Sequence, residues 1–177
     1  MIEIVPYDLR WPGHFATEAA KLRAAFGELA LGIEHVGSTA VPGLAAKPVI
    51  DIQVSVASLA PPERFLPPLA LLGYHPVPLG DFDLVYPWFV KPPDWPSTHH
   101  VHLCVQGEEQ ERRHLAFRDH LRRHPAAAAD YVALKRGLAA AHHGNTLESR
   151  EAYSLAKTAF VESVLARARA ASQPLKR

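Results

Sequence analysis

A chain of 177 residues has room for one domain with a continuous apolar core, and its 48% hydrophobic and 21% charged residues are the proportions of a globular protein. Nineteen basic against 18 acidic side chains leave a formal charge of +1, which excludes the single-signed field that nucleic-acid binding usually needs. No stretch approaches the roughly 20 apolar residues of a membrane span, and the lone cysteine, Cys104, excludes an internal disulfide and a multi-cysteine zinc knuckle.

The N-terminal segment carries no basic region followed by an apolar run, so the expected location is the cytoplasm. Ile2 to Val5 alternates and reads as a short strand halted by Pro6. A helix follows, with Phe15, Ala19, Leu22, Phe26 and Leu29 on one stripe, Glu18, Lys21 and Arg23 largely off it, and Gly32 helping to end it. Ile33 to Val36 reads as a strand that stops at Gly37. "PVIDIQVSV" is the strongest strand signal, with Ile50, Ile52, Val54 and Val56 on one face and Asp51, Gln53 and Ser55 on the other, a polar row aimed at a cleft.

Ser58 to Leu72 is expected to become helical in its later part, offering Leu66, Leu69, Ala70 and Leu72 to the core, with Gly73 at its end. "YHPVPLGDFDLVYPWFVK" reads as irregular strands around a turn near Gly80 and Asp81, and "KPPDWPST" as a loop. "HHVHLCV" alternates again, Val101, Leu103 and Val105 opposite His100, His102 and Cys104. From Glu108 the pattern is helical in three stretches. The expected fold class is α/β (α+β), one domain of 1–177: a mixed β-sheet with helices over about 1–107 and a C-terminal helical segment over about 108–171.

Gly37-Ser38-Thr39 follows a strand, where a glycine lets backbone N–H groups and hydroxyls meet phosphate oxygens, although a tight turn with a capping serine gives the same pattern. Asp51, inside a β-branched strand, must be solvated, paired or bound to a cation. Lys47 could pair with it, or Asp51 could hold a divalent ion while Lys47 or Ser38 meets a phosphate. His100 and His102 at i and i+2 could reach one ion, with Asp51 or His35 as a third ligand, or could be neutral and hydrogen-bonded. Arg118, Asp119, Arg122, Lys135, Tyr153 and Lys157 in the helical tail read individually as a solvated face.

The segments "EHVGSTAVPGLAAKPVIDIQV", "THHVHL", "FRDHLRRHP", "YVALK" and "EAYSLAKTAF", with "VPYDLRWP" near the start, resemble the GrpB family of bacterial proteins over nearly the whole chain. The resemblance implies a nucleotidyltransferase-like fold, in which a glycine-serine turn precedes a strand bearing metal-binding carboxylates. Carried over, Gly37 and Ser38 match the turn and Asp51 the first carboxylate, whereas Gln53 stands where the second belongs and Asp81 and Asp83 are possible substitutes. A neutral glutamine cannot bridge two cations as a carboxylate does, which puts the two-metal mechanism in doubt.

On this reading a nucleotide or other phosphate ligand is held by Gly37, Ser38, Thr39, Lys47, Arg118 and Lys157. A divalent metal, expected to be magnesium, sits on Asp51, His100 and His102. Asp51, Lys47, His100 and His102 form the catalytic set, with Lys47 offsetting developing charge and a histidine orienting the acceptor or acting as base. The family also implies an alternative, since a GrpB-like region occurs fused behind dephospho-CoA kinase: a non-catalytic interaction or folding-assistance module with a protein partner. A histidine-based metal hydrolase is a third reading.

Overall fold

The computed structural model describes residues 2–78, 85–141 and 146–172. Gly80, Asp81 and Asp83 lie outside the described residues. A five-stranded mixed sheet runs in the order β1-β2-β5-β4-β3, built from β1 (Gly32–Val36), β2 (Ile50–Val56), β3 (His75–Pro76), β4 (Trp88–Lys91) and β5 (His99–Val105). The central pair β2 and β5 is parallel, and the other neighbours are antiparallel.

One face of the sheet carries Ile50, Ile52, Val54, Val56, Val101 and Leu103, all nearly inaccessible to solvent. Helix α1 (Trp11–Phe26) covers it with Trp11, Leu22 and Phe26, and α2 (Leu66–Leu71) with Leu69, next to Phe65. Each such side chain contributes about 1.5–3 kcal/mol of burial free energy, so this face anchors the fold. The opposite face is partly roofed by α3 (Glu109–Arg123), which follows β5 directly and packs against β1, β2 and β5. Beyond it come α4 (Pro125–Ala141), α5 (Leu147–Leu155) and α6 (Thr158–Ser172). Leu121, Ala127 and Tyr131 of these helices close a second core on Val41 and Leu44.

Four local features depart from the sequence pattern. Residues 2–5 add no strand to the sheet; Val5 makes one isolated antiparallel bridge to Ala46, and Pro48, at the next bonded position of the partner segment, has no N–H to extend it. Gly27, at φ +55, turns the chain after α1, whereas Gly32 opens β1. Leu66 and Ala70 are exposed, and Phe65 fills their expected place. Glu18 is buried rather than off the stripe, where its carboxylate bonds Lys91 of β4 and, at 3.2 Å, Lys21.

Burial raises the pKa of Glu18, but the bonds from Lys91 and Lys21 outweigh it and leave the carboxyl below its ordinary value. Its contribution to stability is therefore complete above the unfolded-state carboxyl pKa and is lost as pH falls through the lower folded-state value. Glu18→Ala is expected to cost about 3 kcal/mol, the low end for breaking a buried pair because Lys91 keeps some solvent. The shift in denaturation midpoint at pH 7 checks this, and a loss below 1 kcal/mol would refute it.

Candidate active site on the polar face of the sheet

Strand register assembles the first part of the site. Asp51 sits opposite His100 across the parallel pair, Gln53 opposite His102, and Trp88 opposite His102 on the other side. Because side chains alternate along a strand, Asp51, His100 and His102 share one face. The His100 Nδ1 lies 3.1 Å from Asp51 Oδ1, and His102 Nε2 lies 3.7 Å from the same oxygen. Ser97 Oγ is 2.8 Å from His100 Nε2, and the His102 ring stacks parallel to Trp88. Burial would raise the Asp51 pKa, but bonding to the two histidines overcomes it and holds the carboxyl well below the usual carboxylate range.

The polar row is open only at its Asp51 end. Gln53 and Ser55 are covered by α3, through His114 Nδ1 at 2.8 Å from Gln53 Oε1 and Glu111 accepting from Ser55. Gln110 lies 3.0 Å from the other His114 nitrogen, and burial with the charge of His102 pushes the His114 pKa down to about 3. A neutral imidazole that donates from Nδ1 and accepts at Nε2 satisfies both contacts. The Gln53 amide nitrogen is buried without a hydrogen-bond partner. Cys104 is buried beside Gln53, its thiol pKa raised to about 12 by burial and by Glu111.

His35 does not join the cluster. It pairs with Ile52, so its ring is on the α1 face, stacked on Phe15 at 4.7 Å. Its Nε2 is 3.0 Å from Thr39 Oγ1, which donates to the Val49 carbonyl at 3.0 Å. The single hydroxyl proton is thus used, and His35 donates from Nε2. Thr39 is buried in this structural role, leaving Ser38 as the more accessible hydroxyl of the turn.

Gly37, at φ +70, brings the turn against the carboxylate: a Cβ there would stand 2.9 Å from Asp51 Cβ and Cγ. On the far side of the turn, lysines from three segments converge. Lys135 of α4 is buried and donates to Ser38 Oγ at 3.2 Å and to the Ala45 carbonyl at 2.6 Å. Lys47, in the loop before β2, and Lys157, between α5 and α6, lie over the Tyr153 ring at 5.0 and 4.5 Å. Burial, then the neighbouring lysines, pushes Lys135 down to about 7; burial and Lys47 push Lys157 to about 8, with Asp51 opposing both.

Lys135 and Tyr153 are therefore far from a solvated face, and the folded chain brings them together with Ser38 and Lys47. Their signal in sequence was only "YVALK" and "EAYSLAK", i,i+4 pairs indistinguishable from neighbours on any exposed helix. Arg118 is occupied elsewhere: it bonds Glu34 and Asp119, both at 2.7 Å, and the His35 carbonyl at 3.0 Å, clamping α3 to β1.

The donor chemistry does not fit a two-magnesium centre. That ion favours oxygen ligands and retained waters, and paired ions need bridging carboxylates. Here one carboxylate stands between two imidazoles, and the second acidic position is a glutamine sealed under α3.

The fold and this row of side chains define a mixed-sheet α/β protein with a histidine-aspartate cluster beside a lysine-lined turn. Residues 1–167 match the family model described as GrpB protein, and the chain belongs to the GrpB family. It is similar to the crystal structure of conserved protein GrpB from Enterococcus faecalis, with TM-score 0.80 and 36% identity over 94% of this chain and 96% of that one. A UPF0157 protein of Pseudomonas aeruginosa is 44% identical over 97% of this chain and 69% of its own length. A dephospho-CoA kinase of Mycolicibacterium paratuberculosis is 35% identical over 76% of this chain, which spans 39% of the kinase. No described helix is long and apolar enough to cross a membrane.

Proposed function

We propose that this chain binds a nucleotide or another phosphorylated compound between the Gly37-Ser38 turn and the lysines, next to a divalent ion on Asp51, His100 and His102. The observation that carries the reading is the convergence of Lys47 with Lys135 and Lys157, the latter two with depressed basicity. Buried like charges repel one another and lose hydration, and an arriving phosphate supplies the counter-charge that relieves both costs. The turn amides and Ser38 then meet phosphate oxygens, and Lys47 and Lys157 neutralise the rest. In a nucleotidyltransferase-like reaction the same lysines would stabilise charge on the transferred phosphoryl group, and His102 would orient the acceptor.

The experiment is a thermal-shift titration with the four ribonucleoside triphosphates and pyrophosphate, with metal and with EDTA, on wild type and Lys157→Met. Ligand at 100 times its dissociation constant adds about 2.7 kcal/mol, several degrees for a domain of this size. Lys157→Met should weaken binding by about tenfold or more, as loss of a charge-assisted contact does. No shift with any of these ligands would favour the second reading, an interaction module like the matching region of the kinase. Its support is the sealed Gln53 position together with the similarity to dephospho-CoA kinases.

A further inference from the structure

We infer that the ion held by Asp51, His100 and His102 is a borderline transition-metal ion of the zinc class rather than magnesium. This rests on the phosphate-site reading and deepens it by naming the metal, from the donor set, its spacing and the groups behind the ligands. Two imidazole nitrogens and one carboxylate oxygen lie within 4.8 Å of one another. Imidazole suits zinc, iron, cobalt and nickel, whereas magnesium favours oxygen donors.

Two of the three ligand separations lie near what a tetrahedral ion requires. A tetrahedral ion with bonds of about 2.0–2.1 Å keeps its ligand atoms about 3.3 Å apart. The Asp51 oxygen stands 3.1 Å from His100 Nδ1 and 3.7 Å from His102 Nε2, on either side of that separation. Three protein ligands leave further positions for water or a phosphate oxygen, as in sites that bind substrate.

A second observation lies behind the ligands. Metal-ligating histidines usually donate their other ring N–H to an orienting acceptor. Ser97, itself buried, is 2.8 Å from His100 Nε2. With no ion, His100 donates from Nδ1 to Asp51 and accepts at Nε2 from the Ser97 hydroxyl. When the ion takes the Nδ1 lone pair, the proton resides on Nε2 and Ser97 turns from donor to acceptor. A hydroxyl serves both states, as a hydroxyl rotor can. Trp88, stacked on His102, restrains the second imidazole from the side.

The test is calorimetric titration of the chelator-stripped full chain with Zn²⁺, Co²⁺ and Mg²⁺ alone, with no phosphate compound present. We expect one ion per chain and affinities for Zn²⁺ and Co²⁺ at least a hundredfold above that for Mg²⁺. His102→Gln should reduce the zinc affinity at least tenfold. Ser97→Ala, which leaves all three ligands in place, should reduce it about 10–100-fold, with circular dichroism verifying its fold. Affinity for Mg²⁺ within a hundredfold of that for Zn²⁺, absence of zinc binding, or unchanged zinc affinity in a folded Ser97→Ala would overturn the inference. Triphosphate binding in EDTA that persists in such a case leaves the phosphate reading standing, so the two fail separately.

Discussion

Gly37→Ala should unfold or unseat the site more severely than any neighbouring small-residue change, at a cost of about 2–6 kcal/mol. Two effects add. At φ +70 and ψ −169 the backbone occupies a region that is essentially glycine's own, worth about 1–3 kcal/mol of strain for alanine. The new methyl would also stand 2.9 Å from the Asp51 Cβ and Cγ, and relieving that overlap costs about 1–3 kcal/mol. The relief has to move either the turn or the carboxylate, so metal affinity falls even in whatever fraction stays folded. Chemical denaturation measures the first consequence and zinc titration the second. A variant with wild-type stability and metal affinity would show that the close approach of turn and carboxylate does no work.

Lys135→Met is expected to move stability and binding in opposite directions. In the unfolded chain Lys135 titrates at about 10.5; in the fold burial and the neighbouring lysines lower it to about 7. Between those values the unfolded state holds the extra proton, so stability of the wild type rises with pH from about 7 to 10.5. At pH 7 the penalty is gross, at about 1.4 kcal/mol per unit of depressed pKa. Methionine removes it but strands the Ala45 carbonyl and frees Ser38, returning about 1–3 kcal/mol. The net expectation is a protein more stable by about 2 kcal/mol at pH 7, with the gain gone by about pH 8.5–9 and turned into a loss of about 1–3 kcal/mol above about pH 10.5, and with phosphate binding weakened at least tenfold.

The same shift makes binding proton-linked. A phosphate restores the basicity of Lys135 and Lys157, so association at pH 8 should take up about one proton or more, read from calorimetry in buffers of different ionisation heat. Loss of stability in Lys135→Met at every pH would mean that the buried ammonium is a structural anchor rather than a site awaiting an anion.

Much of the sheet was legible in the sequence because alternation is a strong local signal. The faces of β2 and β5 could be read from Ile50 to Val56 and Val101 to Val105, and they place Asp51 and His100 on one side. What alternation cannot supply is which strands are neighbours, and so it left His35 and Asp51 as equal candidates for the cluster. The β1–β2 register decides against His35, by setting it opposite Ile52. Burial of charge was invisible for a different reason. Glu18, Lys135 and Arg118 look like ordinary helix-surface residues, and only partners distant in sequence, Lys91, Ser38 and Glu34, take them inside.

Asp51 and His100 are each the second residue of their strand, so the site lies at the amino ends of the parallel pair. Doubly wound sheets place ligands at the opposite, carboxyl ends, where the helix after each strand offers its amide-rich, electropositive start to an anion. Here α3 begins beyond the far end of β5 and runs back across the sheet, bringing its carbonyl-rich end to the region of the turn, where Arg122 bonds the Ala40 carbonyl. The backbone dipole of that helix therefore favours a cation at this end of the molecule and does nothing for phosphate. Under the proposed phosphate reading, positive potential has to be carried by side chains, and the loop before β2, α4 and the α5–α6 junction each supply a lysine for it.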